Sequence, residues 1–245
     1  MFLKTDRTRP QHRAMEYDGE TAMIRLSRHL SDETFVIGQL GQSLDGRIAT
    51  PTGDSKYING KGALRHLHLI RSMVDAVIVG VGTAIADDPQ LTTRHVPGAN
   101  PLRVVIDPRG RMPADLGMLS DGAAPVLSIT CPNVQVPDGT EALPLCCNDS
   151  GHIDPTAIVE ALAARGLRRI LVEGGAETLA RFINAGAVDE LHLMVAPIIL
   201  GSGKTGLNLA PIETLDQALL PEVRTMRFKD GDMLCMCDMM GATVT

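Results

Sequence analysis

Arg169-Ile170-Leu171-Val172-Glu173-Gly174-Gly175-Ala176-Glu177-Thr178 reads as a strand, a double-glycine turn and the opening of a helix. The strand is an unbroken aliphatic run with no polar alternation, the mark of a strand buried on both faces of a parallel sheet. The helix continues over residues 176–185 and ends at Gly186, the usual residue beyond a helix C-terminus. Upstream, residues 156–165 form another helix, stopped by Gly166; downstream, residues 190–197 and 233–239 read as strands.

The same rhythm holds toward the N-terminus. Residues 35–40 form a strand closed by the polar turn Ser43-Leu44-Asp45-Gly46-Arg47. A helix over residues 60–74 follows, with Ala63, Leu67, Ile70 and Val74 at helical spacing. Ala76-Val77-Ile78-Val79-Gly80 and residues 102–107 are buried strands, the latter stopped by Pro108. Residues 125–130 and 142–146 are weaker strands. Alternating strands and helices predict an α/β fold in three layers, a mainly parallel mixed sheet with helices on both faces. The last strands have little helix between them, so antiparallel edge pairing is expected there. No low-complexity linker or fixed-period repeat divides the chain. One domain is predicted over residues 35–245, preceded by a polar extension, 1–34, in which Met23, Ile24, Leu26 and Leu30 suggest a helical stripe.

Composition narrows the function classes. The 245 residues carry a formal net charge of −6, with 44% hydrophobic, 21% charged and 2% aromatic residues and no Trp. There is no positive field to gather nucleic acid or an anionic membrane, and no supply of stacking rings, so nucleic acid is not an expected partner. No apolar run approaches roughly 20 residues, so no membrane span is expected. The charged N-terminus has no signal-peptide h-region, which makes the cytoplasm the expected location. The five cysteines show no CxxC spacing and read as reduced thiols packed in a core. His66 and His68 are two apart on a helix and face different ways, and no HExxH pattern occurs, so no metal site is predicted. GxSxG is absent, which removes the serine-hydrolase reading.

In an open parallel sheet, ligands bind beyond the carboxyl ends of the strands. Two glycine turns fall there: Gly80-Val81-Gly82-Thr83 and Gly174-Gly175-Ala176-Glu177-Thr178. Glycines let backbone N–H groups approach a ligand, and a helix N-terminus suits a pyrophosphate. Each alone is equally explained by tight backbone geometry; two after buried strands of one sheet point to a nucleotide. Neither is the GxGxxG fingerprint with its later acidic residue. A third loop, Gly201-Ser202-Gly203-Lys204, lacks the GxxxxGK[ST] spacing and reads as a surface loop. Glu173 ends a buried strand, where a carboxylate needs a partner.

Taken in order, Ser43-Leu44-Asp45-Gly46-Arg47-Ile48-Ala49, Gly53-Asp54-Ser55, Gly80-Val81-Gly82-Thr83, Ala86-Asp87-Asp88-Pro89-Gln90-Leu91-Thr92, Arg103-Val104-Val105-Ile106-Asp107, Leu171-Val172-Glu173-Gly174-Gly175, Ala187-Val188-Asp189-Glu190-Leu191 and Ala196-Pro197 resemble the reductase domain of bacterial riboflavin biosynthesis, over residues 35–239. The resemblance implies a dihydrofolate-reductase-like fold. It also implies an NADPH-dependent reduction of 5-amino-6-(5-phosphoribosylamino)uracil, with hydride passing to the sugar C1′, and a homodimer. It places NADPH against Tyr57, Gly80, Gly82, Thr83, Asp87 and the turn Gly174, Gly175, Ala176, Glu177, Thr178 and Leu179, continuing to Arg181. It places the phosphorylated substrate near Gly41, Ser55, Arg71, Leu91, Arg94 and Glu173, with Arg71 and Arg94 clamping the phosphate and Glu173 and Asp45 as catalytic carboxylates.

Two departures stand out. The family commonly carries Lys where this chain has Gln39, and Trp where it has Tyr57. A lysine can donate a proton, whereas a glutamine amide only hydrogen-bonds. Gln39 therefore motivates a second reading, a reductase of the same fold acting on another pterin, pyrimidine or sugar phosphate. A third reading is a nucleotide-binding protein without turnover, against which Ser55, Arg71, Arg94 and Glu173 speak. The deaminase signature often fused to this domain, H-x-E with P-C-x-x-C, is absent. The choice of NADPH over NADH rests on a basic group at the 2′-phosphate, for which Lys56, Arg109, Arg111 and Arg181 all remain open.

Overall fold

The structure is a computed structural model, and it describes residues 14–16, 33–56 and 58–242. A 10-stranded sheet has the order β1-β11-β12-β9-β2-β8-β4-β5-β6-β7. Its strands are β1 (Ala14–Glu16), β2 (Phe35–Ser43), β4 (Ala76–Gly80), β5 (Leu102–Ile106), β6 (Val126–Thr130), β7 (Thr140–Pro144), β8 (Arg169–Glu173), β9 (Glu190–Ala196), β11 (Glu222–Arg227) and β12 (Met233–Asp238). From β9 to β7 every neighbouring pair is parallel, while β12 pairs antiparallel with both β9 and β11. A separate two-stranded ribbon joins β3 (Arg47–Ala49) to β10 (Lys204–Thr205).

Side chains alternate across the sheet, so residues in register on parallel neighbours share a face. The buried strand residues of one face are apolar: Val36, Ile78, Val104, Leu127, Ile170 and Val172 pack against α4 (Pro155–Ala164) and α5 (Ala176–Asn184) through Ile158, Leu162, Leu179 and Phe182. The other face packs Ile37, Val77, Val79, Val105 and Leu171 against α1 (Lys61–Arg71), α2 (Val81–Asp87) and α3 (Gly117–Ser120). Each such aliphatic chain contributes about 1.5–3 kcal/mol when fully buried. The buried polar residues of the strands, Gln39, Ser43, Arg103, Ser128, Thr130, Glu173 and His192, all lie on this second face. The sheet thus has a dry side that stabilises and a polar side that carries chemistry.

The predicted three-layer, mainly parallel sheet with antiparallel pairing at its late edge is what the chain forms. Four differences have physical reasons. The first glycine turn does not merely turn, because Val81 starts a short helix directly after β4. The Gly201–Lys204 loop is not only surface: Gly203 (φ 118°) lies against the backbone of Ala49, and Lys204 joins the β3 ribbon. Ala14–Glu16 of the extension adds a parallel edge strand to β11, whereas the stripe at Met23–Leu30 lies outside the described residues. The reading of all cysteines as packed, reduced thiols is corrected: Cys131 and Cys147 form a disulfide, and Cys146 is exposed. Parallel pairing of β6 with β7 brings the residues just past both strands together, with Cα atoms 5.7 Å apart.

Candidate active-site groove

A groove of ≈ 1900 Å³ runs along the carboxyl ends of the parallel strands. That exceeds the roughly 300–1,000 Å³ of a site for one drug-sized ligand, and leaves space for a dinucleotide beside a second molecule. Its walls are the ends of β2, β4, β5 and β8, the first turns of α1, α2 and α5, and the β3–β10 ribbon.

The two glycine turns form a single floor. A Cβ on Gly80 would fall inside contact distance of Thr178 Oγ1, and one on Gly175 would stand 2.7 Å from Thr83 Oγ1. Gly174 (φ 46°) and Gly175 (φ 69°) adopt left-handed backbone that side chains resist. Gly175 is also the N-cap of α5 and offers no side-chain cap, so first-turn amides of α5 receive no side-chain cap bond from it. Uncapped amides and the positive end of the helix dipole are a place for a pyrophosphate. The cradle fits a dinucleotide.

Expected site residues divide between the groove and the structure behind it. Gly41, Ser55, Gly80, Gly82, Thr83, Asp87, Gly174, Gly175, Ala176, Glu177 and Thr178 line the groove. Leu179 does not; it is fully buried under Gly38. Tyr57 lies outside the described residues. Asp45, expected as a catalytic carboxylate, is not in the groove wall. It accepts bonds from Ser43 Oγ (2.6 Å) and from the N–H groups of Leu200 (3.1 Å) and Gly201 (2.7 Å). The Ser43 hydroxyl first, and then those backbone donors, hold its pKa down to about 2. An acid so placed fixes a turn and is charged at neutral pH.

Arg71, Leu91, Arg94 and Glu173 gather behind the groove lining. Arg71 donates from Nε to Glu173 Oε1 (2.5 Å), from Nη2 to Oε2 (2.6 Å) and from Nη1 to Thr92 O (3.1 Å). Burial works against the charge on Arg71, but the Glu173 carboxylate outweighs it and raises the guanidinium above its ordinary value. Arg94 is exposed, and its guanidinium meets Gln90 Oε1. Its pKa is lowered, first by partial burial and then by repulsion from Arg71. The two arginines therefore feel one another across the Glu173 charge. Leu91 is buried with φ 53° and turns the chain between them.

Gln39 lines the groove and stands in register between Glu173 on β8 and His192 on β9. His192 Nδ1 is 2.9 Å from His66 Nε2, and its Nε2 meets Glu190. Burial, then the neighbouring His192, pushes His66 well below the ordinary histidine value. Gln39 is thus flanked by two buried polar couples, Arg71–Glu173 and His66–His192. Sequence reasoning missed Asn59, His152 and Lys204, which also line the groove. Asn59 sits against Gly41 and donates to Met194 O (3.4 Å). No pattern of spacing announces these residues, since Asn59 and His152 come from loops and Lys204 from the two-residue strand β10.

The profile described as the RibD C-terminal domain matches residues 34–231. A 2,5-diamino-6-ribosylamino-4(3H)-pyrimidinone 5′-phosphate reductase of Methanothermobacter thermautotrophicus is 35% identical over 188 residues, covering 75% of this chain and 86% of that protein. The riboflavin biosynthesis protein RibD of Bacillus amyloliquefaciens is 36% identical over 173 residues, covering 68% of this chain and 46% of that protein. The chain spans about half the length of the RibD proteins it matches. Among solved structures, the Thermotoga maritima diaminohydroxyphosphoribosylaminopyrimidine deaminase/5-amino-6-(5-phosphoribosylamino)uracil reductase superposes with a TM-score of 0.70 at 27% identity. That overlay covers 84% of this chain and 56% of that one.

Proposed function

Because the chain belongs to the RibD C-terminal domain family, we propose that it is an NADPH-dependent reductase of riboflavin biosynthesis that acts on a ribosylaminopyrimidine 5′-phosphate. The observation that carries this reading is the groove itself. A two-glycine cradle at its floor suits a dinucleotide, and behind its lining the Arg71–Glu173 couple, with Arg94 nearby, supplies the cations for a phosphorylated second ligand. Bound there, NADPH supplies the hydride delivered to the sugar C1′.

The protein's part is placement. The backbone N–H groups at Gly175 and the first turn of α5 would hold the pyrophosphate, with the Thr83 hydroxyl beside them as a further donor. Glu173 fixes the plane of Arg71, leaving one N–H on each Nη for a phosphate oxygen, and Arg94 adds a second cation. Gln39 presents a neutral amide to the pyrimidine side of the groove. Removing water from between these fixed groups turns the encounter into an oriented, nearly unimolecular step. The same reading puts the enzyme in the cytoplasm as a homodimer. Exposed Leu44, Ile198 and Ile199 at the end of β9 supply an apolar contact for the second copy.

The test is loss of the reduced-nicotinamide absorbance with two substrates offered separately: 5-amino-6-(5-phosphoribosylamino)uracil and its 2,5-diamino-pyrimidinone counterpart. Turnover of either supports the reading, and the preferred one identifies the group at ring position 2. Binding of NADPH with turnover of neither sinks the substrate and favours another acceptor for the same fold. A protein that binds cofactor and turns over no carbonyl or imine acceptor is a nucleotide-binding protein without catalysis.

A further inference from the structure

The C-terminal end of α1 seats the loop that joins α2 to β5. His68, Arg71 and the C-cap Ser72 are three and four positions apart, so they share one face of that helix end. His68 Nδ1 accepts the main-chain N–H of Arg94 (3.0 Å), and Arg71 Nη1 donates to Thr92 O (3.1 Å). Gly98 lies against the same turn, where a Cβ would stand 2.5 Å from Ser72 Cβ. The loop is also tied within itself: Thr93 N donates to Asn100 Oδ1 (2.8 Å) and Thr93 Oγ1 to Ala99 O (3.2 Å). Arg94 is exposed, so its guanidinium is placed by this main chain and by its contact with Gln90 Oε1.

His68 is the tie that reaches Arg94 itself. Its ring is fully buried, and the His95 ring meets it edge to face, with centroids 4.5 Å apart and planes at 87°. Because Nδ1 accepts a bond, the imidazole is neutral and carries its proton on Nε2. Burial, and then the neighbouring Arg71, His95 and Arg94, hold its pKa at about 4, which keeps it neutral at pH 7. Neutrality suits the place. A carboxylate at position 68 could accept the same bond but would draw on the charge of the arginines, and a lysine could not accept at all. An imidazole fastens the loop and leaves the cations for an incoming anion. His66, two residues earlier, points away and is taken up by His192.

We infer that His68 is the positioning residue of the phosphate clamp: by holding the Arg94 main chain it sets the Arg94 guanidinium near Arg71, and so governs affinity for the phosphorylated substrate without touching it. The inference rests on the reading of Arg71 and Arg94 as that clamp. Contacts between a guanidinium and a phosphate depend on the fork geometry, so a loop that shifts by a fraction of an ångström weakens them. The effect is confined to the substrate, because the cofactor cradle at Gly80 and Gly174–Gly175 is built from other elements.

The test is a double-variant cycle in steady-state kinetics with whichever of the two phosphorylated pyrimidines the wild type turns over, alongside calorimetric titration of NADPH. His68→Leu should raise KM at least about tenfold, the value of one displaced charge-assisted contact, with kcat and NADPH affinity within about twofold of wild type. His68→Asn, whose amide oxygen can accept from the Arg94 N–H, should bring KM back to within about threefold. Arg94→Ala keeps the amide and loses the guanidinium, so adding His68→Leu to it should raise KM by less than about twofold more. An unchanged KM in His68→Leu, the same loss in both backgrounds, no rescue by Asn, or a parallel fall of kcat and NADPH affinity overturns the role and leaves the reductase reading standing. A wild type that binds NADPH and turns over neither pyrimidine removes the clamp reading, and this inference with it.

Discussion

Arg71 and Glu173 close on one another through two parallel hydrogen bonds, with both side chains less than a tenth exposed, at 7% and 8%. A buried pair of this kind is not primarily a source of stability, because desolvation of both charges offsets their attraction. Breaking it is another matter. Glu173→Gln leaves a buried guanidinium without its counter-charge and should cost about 3–5 kcal/mol in urea unfolding. Arg71→Met/Glu173→Leu removes both charges and should cost far less than the sum of the single variants. Both the single and the double variant should lose reductase activity. Additive single and double variants would show that the two side chains act independently.

Gly80 is the next pressure point. Its missing Cβ leaves room for the Thr178 hydroxyl, and through that contact the two glycine turns pack as one floor. Gly80→Ala should destabilise by about 1–3 kcal/mol as the neighbour is forced aside, and should weaken cofactor binding. With Thr178→Ala present, the nearest atom becomes the residue 178 Cβ at 3.7 Å, an ordinary contact. The double variant should therefore recover most of the loss made by Gly80→Ala. Thermal unfolding of the three variants reads the coupling directly.

These features differ in how far the sequence discloses them. Strands β4, β5 and β8 are legible because burial on both faces leaves an unbroken aliphatic run, and Gly174-Gly175 is legible because left-handed backbone calls for glycine. Strand β11 is not. Exposed Glu222, Arg224 and Arg227 break up half-buried Val223 and Thr225 and buried Met226 on a strand near the sheet edge, so no apolar run marks it. Arg71 is legible as a cation at the end of a helix, but its partner lies 102 positions away and only the sheet brings it close. The cluster of Arg109, Arg111, His152 and Arg181 is assembled from two connections and a helix, and no local spacing encodes it. The turn role of Asp45 depends on Leu200 and Gly201, equally remote in sequence.

His68 predicts how stability follows pH. It is buried, its Nδ1 accepts the Arg94 N–H (3.0 Å), and its pKa is lowered to about 4, first by burial and then by Arg71, His95 and Arg94. Between pH 6.5 and 4 the unfolded chain binds a proton that the folded protein refuses. The stabilisation is therefore complete above pH 6.5 and is lost as pH falls toward 4, when protonation breaks the Arg94 bond and adds a third cation beside two arginines. His66, lowered by burial, works in the same direction. The urea midpoint should drop between pH 7 and pH 5, and His68→Asn should flatten that slope. An equal slope in the variant would assign the dependence to other groups.

The Cys131–Cys147 disulfide closes a loop across a sequence separation of 16, and a ring of that size stabilises a fold by about 3 kcal/mol through the unfolded chain. In a protein of this length such a loss corresponds to roughly 6–12 °C in melting temperature, which should appear on reduction or in Cys131→Ser. Thiol titration of the unfolded, unreduced chain should find Cys146, Cys235 and Cys237 only. Titration of all five cysteines there would refute the bond. The consequence reaches the groove, because Cys147 bridges to Ile153 and Asn148 binds both ends of the intervening turn, which holds Ser150 and His152 beside Arg109. Opening the disulfide frees one anchor of that turn. Reduced protein should then bind NADPH less tightly than oxidised protein in calorimetry, and equal affinity of the two forms would separate the disulfide from the groove.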